Sequence, residues 1–323
     1  MEKPFISVIV TAYNRKQFLL EALKSVVNQT LSRDKYEVIV TKNFRDEEIN
    51  KFISDNKMKS ILFTDMNIGQ MISDAIKLCE GEVITFLNDD DSWSKDRLER
   101  VYNVFKNYNV GFYHNSGIHN KLDEDYSGIL KQLGVTDKNK YKIIDYPYKS
   151  RMYIKNWGNS SSLALTKSVT IRHLDEISMC YAGDDLLLFL ITLFEKLKLF
   201  IDLNKLTFIR VHKRGKILEE EIKSEEVEIK TLFNALNLAR RYDSPAGVSL
   251  TKLQIFYPII QTEMLRKTSR RKLIKDALKF FPGLKFITKR FIKRSARLLV
   301  YIISPGYADR LIIKELKEGG KIN

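Results

Sequence analysis

The N-terminal third of the chain alternates between short apolar runs and amphipathic stretches, and this alternation constrains the fold more than any other feature. Residues 5–12 are apolar almost throughout, as expected of a parallel strand covered on both faces. In the next stretch, apolar residues recur at helical spacing: Phe18, Leu19, Ala22, Leu23, Val26 and Val27. Further strands are predicted at 36–41, 60–63 and 83–87, and helices at 45–56 and up to Cys79. This regular succession predicts an α/β fold with a mostly parallel sheet flanked by helices.

The strand at Val83–Leu87 is followed within two residues by three consecutive carboxylates, Asp89, Asp90 and Asp91, called the acidic cluster below. Like charges repel, and packing gives no reason to place three of them at the end of a strand. A hard divalent cation with oxygen ligands would stabilise them. Ligands of open α/β sheets also bind beyond the carboxyl ends of strands. The alternative is an acidic loop that caps the following helix through Asp91 or Ser92.

Composition limits the class of protein. A chain of 323 residues can bury the core of one large domain and carry an appendage. Cys79 and Cys180 have no paired spacing, so neither a disulfide framework nor a zinc site is expected. The first residues lead directly into the first predicted strand, so no secretory signal is expected. The longest apolar stretch, Leu186–Phe194, is nine residues long, whereas a membrane-spanning helix needs ~20. We therefore expect a cytoplasmic protein.

Taken in order, these motifs resemble glycosyltransferase family 2, whose members have the GT-A fold. The similar segments are Ser7–Arg15, Ser25–Thr30, Asn67-x-Gly69, Gly81 and Phe86–Asp91. The resemblance covers residues 4–115 well and residues 150–215 more loosely. It implies inverting transfer of a sugar from a nucleotide-sugar donor, with a divalent metal ion on the donor's diphosphate.

The resemblance also implies roles for individual residues. Three carboxylates cannot bind a diphosphate directly, so a bridging cation, Mn²⁺ or Mg²⁺, is needed. Asp91 is the implied direct ligand, while Asp89 and Asp90 reach the metal through water or contact the donor's ribose. The implied metal ligands are Asp91, Asp89 and His212. The implied donor contacts are Thr11, Ala12, Tyr13, Arg15, Lys42, Asn67, Asp89, Asp90, Lys213 and Arg214. Thr11 and Tyr13 would bind the nucleobase; a core position is the alternative for Tyr13.

Three positions depart from the family pattern. The second strand ends in Lys42 and Asn43, where the family usually has acidic residues that bind the base. Asp74 stands where the family often has a basic residue, and Asn88 replaces the usual first acid of the metal motif. The donor base, uridine or guanosine, is therefore left open. An inactive protein of the same fold that binds membrane or nucleic acid is the alternative function.

A second candidate site is Gly183-Asp184-Asp185, which opens a strongly apolar helix. Capping of the spare N–H groups at a helix start explains one carboxylate but not the second. By the resemblance, Asp185 is the general base and Asp184 its neighbour. His212 stands where the family often places a metal ligand, and the two basic residues after it can contact phosphates; a structural histidine is the alternative. The polar segment Asn159–Ser162 could line the cleft, but a turn is the predicted role.

From about residue 216 the sequence becomes helical and then strongly basic. Residues 266–297 hold thirteen Lys and Arg against one acid, Asp276, and so supply +12 of the net charge of +15. Apolar residues recur on one side of a predicted helix: Leu284, Ile287, Phe291, Leu298 and Ile302. Basic residues fall on its opposite side: Lys285, Lys289, Arg290, Lys293, Arg294 and Arg297. Such a helix is typical of elements that bind an anionic membrane surface. A helix that covers the catalytic domain is the second interpretation, and nucleic-acid binding, which no motif supports, is the third.

The sequence therefore predicts a GT-A catalytic domain at 1–215 and a helical, basic C-terminal region at 216–323. The predicted function is metal-dependent, inverting transfer of a sugar from a UDP- or GDP-sugar to a lipid-linked or glycan acceptor. The predicted location is peripheral, on the inner face of the cell membrane, and no nucleic-acid partner is expected. A nucleotidyltransferase fits less well, because the loop after the first strand, residues 11–15, contains no glycine to cradle phosphates.

Overall fold

The structure, a computed structural model, describes residues 3–64, 67–120, 130–148, 158–211, 217–280 and 289–318. The chain divides into two compact units, residues 1–211 and 212–323. The boundary predicted from the sequence lies at residue 215.

In the part of the N-terminal unit that the structure describes, nine strands form one sheet. They are β1 (Ile6–Ala12), β2 (Tyr36–Lys42), β3 (Lys59–Leu62), β4 (Val83–Asn88), β5 (Ser92–Trp93), β6 (Phe112–His119), β7 (Tyr141–Ile144), β8 (Leu163–Thr166) and β9 (Leu199–Ile209). The helices are α1 (Lys16–Val27), α2 (Glu47–Asp55), α3 (Ile68–Leu78), α4 (Arg97–Asn107), α5 (Lys167–Arg172), α6 (Leu174–Ser178) and α7 (Asp184–Phe194). The predicted elements of the first ninety residues are thus confirmed, with ends shifted by one or two residues.

The strands pair in the order β3-β2-β1-β4-β8-β6-β9-β5, with β7 on β9. The first four are parallel to one another, β8 is antiparallel to both β4 and β6, and β6 and β9 are again parallel. Thr11 lies opposite Thr41 of β2 on one side and Asn88 of β4 on the other. The carboxyl ends of β1, β2 and β4 therefore meet at one edge of the sheet, where ligands of α/β folds bind.

The core of this unit follows the predicted apolar pattern. Every residue of β1 is buried, and both α1 and α3 pack on this strand. The buried residues of α1 lie at the predicted helical spacing: Leu19, Ala22, Leu23 and Val26. Full burial of one such leucine or valine contributes roughly 1.5–3 kcal/mol to folding. This packing fixes the edge at which the polar residues of the site are displayed.

Helices form the C-terminal unit throughout its described part. They are α8 (Leu218–Arg241), α9 (Pro245–Leu265), α10 (Arg270–Phe280), α11 (Lys289–Ile303) and α12 (Pro305–Glu318). Each contributes buried apolar residues, among them Leu236, Phe256, Leu273, Tyr301 and Ile312. None of the helices in the described ranges combines the length and the hydropathy needed to cross a bilayer.

The predicted amphipathic helix at 284–302 is described from Lys289 onward, as α11. Leu284, Lys285 and Ile287 lie outside the described residues. Tyr301 is buried within the unit and Leu298 and Ile302 are half-buried. Leu299 and Ile303 face solvent, with 61% and 81% of their surface exposed. The helix therefore packs one apolar face inside its own unit and presents a second one outward.

Candidate active site

The acidic cluster lies directly beyond β4, and all three of its residues are buried. The backbone ties its first residue, Asp89, to the end of β1. The N–H of Asp89 donates to the carbonyl of Thr11 at 3.0 Å, and Oδ2 of Asp89 accepts the N–H of Tyr13 at 3.1 Å. The parallel pairing of β1 with β4 thus brings the predicted donor contacts Thr11 and Tyr13 beside the acidic cluster.

Arg15 spans the first two carboxylates of the cluster. Its Nη2 lies 2.6 Å from Oδ1 of Asp89, and its Nη1 lies 2.5 Å from Oδ2 of Asp90. Oδ1 of Asp89 is fully buried and, within the described ranges, accepts no hydrogen bond, so the ion pair with Arg15 is its polar contact. The Arg15 side chain is 35% exposed, so it is partly open to solvent.

Asp91 is held by groups that are distant in sequence. Its Oδ1 accepts the backbone N–H of Arg210 at 3.1 Å. Its Oδ2 accepts the Ser161 hydroxyl at 2.6 Å and the side-chain amide of Asn159 at 3.2 Å. This carboxylate is therefore buried and held by three hydrogen bonds from residues far along the chain.

Arg210, directly after β9, closes the cluster from the other side. Its Nε donates to the carbonyl of Asp90 at 3.2 Å, and its Nη2 pairs with Glu21 at 2.6 Å. Its guanidinium also lies over the ring of Phe18, 4.7 Å from the centroid. Arg210 was not among the predicted site residues, because no local pattern marks an arginine at the end of a strand as part of a site 120 residues earlier in the chain.

Burial raises the pKa of two carboxyls in the cluster. The pKa of Asp89 rises from 3.8 to about 7, because desolvation and the Asp90 charge outweigh the opposing charge of Arg15. The pKa of Asp91 rises to about 6, since burial and the Asp90 charge outweigh its hydrogen bonds. Near neutral pH the surrounding groups thus only partly stabilise the ionised cluster, and an added cation would favour its charged form.

Asn88 connects the cluster to its surroundings. Its side-chain oxygen accepts the hydroxyls of Thr11 at 3.5 Å and Ser160 at 3.2 Å, and its backbone N–H donates to Ser161 Oγ at 3.0 Å. An aspartate here would add a fourth negative charge to an already crowded set. The hydrogen bonds of Asn88 thus connect the start of the acidic cluster to β1 and to the Asn159–Ser162 segment.

The segment Asn159–Ser162 forms a 3₁₀ turn, which confirms the predicted turn, but it also lines the site. The Trp93 ring N–H and the Thr207 hydroxyl both donate to the carbonyl of Ser161, at 2.7 and 3.3 Å, and hold the turn in place. Asn159 has a φ of 75°, a left-handed conformation that asparagine adopts more readily than most residues. The sequence signal that could have identified this segment is the run of three serines directly before the apolar strand β8; the structure shows that all three are buried.

Asp184 and Asp185 open α7 after Gly183, whose φ is 71°. Oδ1 of Asp185 accepts the N–H of Leu186 at 2.8 Å, and Oδ2 accepts the N–H of Asn159, also at 2.8 Å. Desolvation raises the pKa of Asp185, and desolvation together with the Asp185 charge raises the pKa of Asp184 to about 7. The pair therefore titrates nearer neutrality than ordinary carboxyls.

The two candidate sites of the sequence are one site, and Asn159 joins them. Its side-chain amide donates to Asp91 and its backbone N–H donates to Asp185. Asn159 is thus a neighbour both of the acidic cluster, which can hold a cation, and of Asp185, a carboxylate with a raised pKa. This arrangement can bind an anionic group through a cation at one end and remove a proton at the other.

Asn67 and Gly69 serve packing in this structure. Oδ1 of Asn67 accepts the N–H of Gln70 at 3.2 Å, and Nδ2 donates to the carbonyl of Ser178 at 3.0 Å. The N–H of Gly69 donates to the carbonyl of Cys180 at 2.8 Å. A Cβ at Gly69 would lie 2.0 Å from the carbonyl oxygen of Ile177. The Asn67-x-Gly69 motif therefore holds the segment that leads to Asp184 and Asp185.

Ala12 and Lys42 lie opposite each other where β1 and β2 end. Lys42 is buried, its Nζ donates to the carbonyl of Phe44 at 3.1 Å, and desolvation lowers its pKa. His212, Lys213 and Arg214, the remaining predicted site residues, lie outside the described residues.

The donor atoms of the acidic cluster fit a divalent cation. Carboxylate oxygens are the ligands that Mn²⁺ and Mg²⁺ prefer. The raised pKa values of Asp89 and Asp91 come first from burial and then from the negative charge of Asp90, and a bound cation would oppose both effects. Within the described ranges, however, no three His, Cys, Asp or Glu side chains are arranged as a ready set of ligands. Arg15 lies against oxygens of Asp89 and Asp90 that a cation would use.

A parallel β3-β2-β1-β4 half-sheet with an acidic cluster beyond β4 defines the GT-A class of α/β folds. Residues 7–165 match the family model of glycosyl transferase family 2. The match lies within the N-terminal unit and makes this domain similar to glycosyl transferase family 2. The resemblance inferred from the motifs and the predicted GT-A fold are both confirmed.

Curated relatives are similar over part of their length. A poly(ribitol-phosphate) beta-glucosyltransferase of Bacillus spizizenii is 30% identical over 108 residues, which cover 31% of this chain and 17% of that protein. An uncharacterized glycosyltransferase of Nostoc is 32% identical over 150 residues, covering 40% of this chain and 46% of that protein. The chain thus spans less than half the length of these relatives.

Solved structures share the fold along most of the chain. TarS 1–349 of S. aureus in complex with UDP-GlcNAc has a TM-score of 0.60 at 14% identity, over 98% of this chain and 92% of that chain. The mannosyltransferase PcManGT from Pyrobaculum calidifontis, in complex with GDP-Man and Mn²⁺, has a TM-score of 0.52 at 14% identity, over 96% and 88%.

Proposed function

We propose that the protein is a metal-dependent, inverting glycosyltransferase that moves a sugar from a nucleotide-sugar donor to a glycan or lipid-linked acceptor. The observation that carries this proposal is the bridge made by Asn159 between Asp91 of the acidic cluster and Asp185. In a family 2 domain, the cluster would hold the donor's diphosphate and Asp185 would face the acceptor. The two functions need to be close, because the acceptor oxygen attacks the carbon that the diphosphate leaves.

At the donor end, Asp89, Asp90 and Asp91 would hold Mn²⁺ or Mg²⁺, with His212 as a further ligand. The ion supplies charge compensation for the diphosphate and for the nucleoside diphosphate that departs. Tyr13 is held by its N–H on Asp89 and lies beside the cluster, which supports a role next to the nucleobase. The carboxyl edge of β1 and β2 forms the rest of this end.

At the acceptor end, Asp185 would act as the general base. Its carboxylate takes the proton of an acceptor hydroxyl, and the oxygen's electron pair forms the bond to the anomeric carbon. The bond from that carbon to the diphosphate oxygen breaks, and its electrons leave with the nucleoside diphosphate. Attack from the face opposite the leaving group inverts the anomeric centre. The raised pKa of Asp185 makes it a stronger base, and such a group contributes typically ~10²–10⁴-fold to the rate.

The donor base is open between uridine and guanosine. Structures of the same fold bind UDP-GlcNAc in one case and GDP-Man in another. Lys42 and Asn43 stand at the end of β2, where a base would be expected to lie. Oδ1 of Asn43 accepts the N–H of Asn14 at 2.9 Å, and its Nδ2 donates to Asn14 Oδ1 at 2.8 Å, so paired asparagines lie where the family usually has acidic residues.

The C-terminal unit would bind an anionic membrane at the inner face of the cell membrane and so bring the enzyme to a lipid-linked acceptor. The +12 charge of residues 266–297 and the outward Leu299 and Ile303 support this proposal. Basic residues near an anionic surface contribute at best ~1 kcal/mol each, and exposed apolar side chains add to them. Nucleic acid is not proposed as a partner.

The test is nucleotide-sugar turnover across a panel of UDP- and GDP-sugars, with and without Mn²⁺. We expect release of the nucleoside diphosphate from donors of one base only, and only with the metal. Asp185→Asn should lower turnover ~10²–10⁴-fold while donor binding is retained. The matched control is Asp175→Asn, the same change at an exposed carboxylate of α6. If no sugar of the panel binds or turns over, the inactive, membrane-binding alternative replaces the proposal.

A further inference from the structure

Arg15 lies where an incoming cation would have to bind. Its two terminal nitrogens contact Oδ1 of Asp89 and Oδ2 of Asp90, at 2.6 and 2.5 Å. We propose that Arg15 is the internal counter-cation of the acidic cluster and that the donor complex displaces it. The divalent ion would take the carboxylate oxygens, and the guanidinium would turn to the diphosphate that arrives with the ion. This inference rests on the proposed function, because it assumes metal and nucleotide at this site.

The surroundings of Arg15 allow this exchange. It stands between β1 and α1, at the N-cap of α1, and makes no side-chain cap there. Its backbone neighbours are fixed by hydrogen bonds of Tyr13 to Asp89 and of Asn14 to Asn43, at 3.1 and 2.9 Å. The side chain is 35% exposed, so it can change rotamer without crossing the core. The backbone of Arg15 is therefore held in place while its side chain can move the guanidinium from the carboxylates to a bound diphosphate.

The second arginine of the site is the useful contrast. The Arg210 side chain is only 15% exposed, pairs with Glu21 at 2.6 Å and packs over two aromatic rings, those of Phe18 and Phe208. Its backbone N–H also bonds Asp91 at 3.1 Å. Arg210 is therefore held in place on several sides, whereas Arg15 is held mainly by the carboxylates that a metal would take from it.

When metal and nucleotide bind together, Arg15 exchanges its ion pairs with Asp89 and Asp90 for one with the diphosphate, which is more favourable than losing those ion pairs without a replacement. A guanidinium forms two parallel charge-assisted contacts with phosphate oxygens as readily as with carboxylates. Without a nucleotide, metal binding would leave Arg15 facing the cation and its ligands with no anionic partner. The ion alone should therefore bind weakly, and ion and nucleoside diphosphate should each strengthen the binding of the other.

The test compares the parent protein with Arg15→Gln, by calorimetric titration and by the electron paramagnetic resonance signal of Mn²⁺. The glutamine removes the charge and keeps much of the side-chain volume. We expect Arg15→Gln to bind Mn²⁺ alone about tenfold more tightly or better than the parent. With saturating Mn²⁺ it should bind UDP or GDP about tenfold more weakly.

Two further variants control the comparison. Lys16→Gln removes the next positive charge in the chain, a 66% exposed lysine that pairs with Asp46 at 3.5 Å. We expect it to leave both affinities within about twofold of the parent, since an exposed charge is screened. Arg15→Lys keeps the charge but cannot span two carboxylates, so Mn²⁺ affinity should lie between those of the parent and the glutamine variant. It also serves if the glutamine variant does not fold.

The outcomes separate this inference from the proposed function. If the parent binds metal and nucleotide but Arg15→Gln and Arg15→Lys bind Mn²⁺ no more tightly, the exchange is wrong and the proposed function stands. If Mn²⁺ affinity rises and nucleotide affinity is unchanged, the contact of Arg15 with the diphosphate is wrong. If neither the parent nor the variants bind Mn²⁺ or nucleotide, both the exchange and the proposed function fall.

Discussion

The backbone N–H of Asn159 donates to Oδ2 of Asp185 at 2.8 Å, and it does so from a left-handed conformation with a φ of 75°. The side chain of the same residue donates to Asp91 at 3.2 Å. A rotation of this peptide would therefore disturb the candidate base Asp185 and the Asp91 carboxylate of the acidic cluster together. The conformation of one residue sets the relation between the two ends of the site.

The first prediction separates the two contacts of Asn159. Asn159→Gly keeps the left-handed backbone and the N–H to Asp185 but loses the amide to Asp91. Asn159→Ala loses the same amide and keeps a Cβ at a positive φ that alanine tolerates less well than asparagine, which costs roughly 1–2 kcal/mol relative to the glycine variant. We expect both variants to bind Mn²⁺ and nucleotide differently from the parent. Only the alanine variant should also shift the pH profile of kcat, because only there is the Asp185 contact strained.

Urea unfolding and the pH dependence of kcat and of kcat/KM provide the measurements. The difference in unfolding free energy between the glycine and alanine variants reports the backbone strain. Equal pH profiles for the parent, Asn159→Gly and Asn159→Ala would show that the N–H of Asn159 does not position Asp185.

The second prediction concerns pH and stability. The pKa of Asp89 is raised to about 7 and that of Asp91 to about 6, against 3.8 for an ordinary aspartate. The folded state therefore keeps these protons at pH values where the unfolded chain has lost them. Their contribution to the free energy of unfolding is fully present below pH ~4 and is lost as the pH rises through 6 and 7. We expect the free energy of unfolding to fall between about pH 4 and pH 7 and to level off above, by at most about 1.4 kcal/mol per pH unit from each carboxyl, less any relaxation of the site.

Chemical denaturation at several pH values checks this expectation, and Asp89→Asn is the comparison that isolates one carboxyl. Its stability should depend less steeply on pH than that of the parent, since one titrating group is gone. Mn²⁺ should flatten the parent's curve as well, because a cation favours the ionised form. A parent and an Asp89→Asn variant with parallel curves would mean that Asp89 is already ionised throughout this range.

The third prediction tests the packing role of Gly69. In Gly69→Ala the new Cβ would meet the carbonyl oxygens of Ile177 at 2.0 Å and of Cys180 at 2.6 Å. These are backbone atoms that cannot move aside cheaply, so α3 and the segment before α7 would be forced apart. We expect a loss of roughly 1–3 kcal/mol or more. Transfer should fall as well, because Asp184 and Asp185 follow that segment.

Gly306→Ala is the matched control, since nothing lies within 4 Å of its added Cβ, near the start of α12. It should be neutral or stabilise the protein by up to ~1 kcal/mol. Thermal unfolding and donor binding of both variants give the comparison. If Gly69→Ala is as stable as the parent and binds donor less well, the motif contacts the donor, as the family resemblance implies, and its packing role is minor.

The sequence predicted the parts of the site that are local. The strand before the acidic cluster, the cluster itself and the carboxylates at the start of α7 are each visible as a pattern within about ten residues. The contacts that join them are not local: Asn159 and Asp91 are 68 residues apart, and Arg210 and Asp91 are 119 apart. Nothing in the spacing of either residue marks it, because the curl of the sheet through β8 and β9 brings them to the cluster. Local patterns identify the charged groups, and only the fold shows which groups hold them.

The C-terminal unit illustrates the same limit. The apolar spacing of α11 predicted a helix with one apolar face, and the helix is present. It has two such faces, however. Tyr301 is buried within the unit, whereas Leu299 and Ile303 are exposed. Periodicity alone could not tell which face packs, because that depends on which neighbouring helix lies against it.

The last prediction is that the exposed apolar residues of α10 and α11 help to bind anionic membranes. Ile274 and Leu278 on α10 are 37% and 69% exposed, and Leu299 and Ile303 on α11 are 61% and 81% exposed. Removing residues 266–303 would uncover the buried core of the unit, so point variants are the better test. In Leu299→Ser/Ile303→Ser the fold should persist, because both side chains already face solvent.

We expect the intact parent to co-sediment with vesicles that contain anionic lipid, and the double variant to bind them roughly tenfold less well, since two apolar side chains no longer insert. Salt screens charges beyond ~8–10 Å but does not weaken the apolar contribution. Rising salt should therefore release the double variant completely and the parent only in part. Val227→Ser, an exposed apolar residue of α8 outside the basic segment, is the matched control and should bind like the parent. If the control and the double variant lose vesicle affinity equally, the exposed residues of α11 do not insert into the membrane. If the parent does not bind anionic vesicles but binds nucleic acid with a steep salt dependence, the basic segment has another partner.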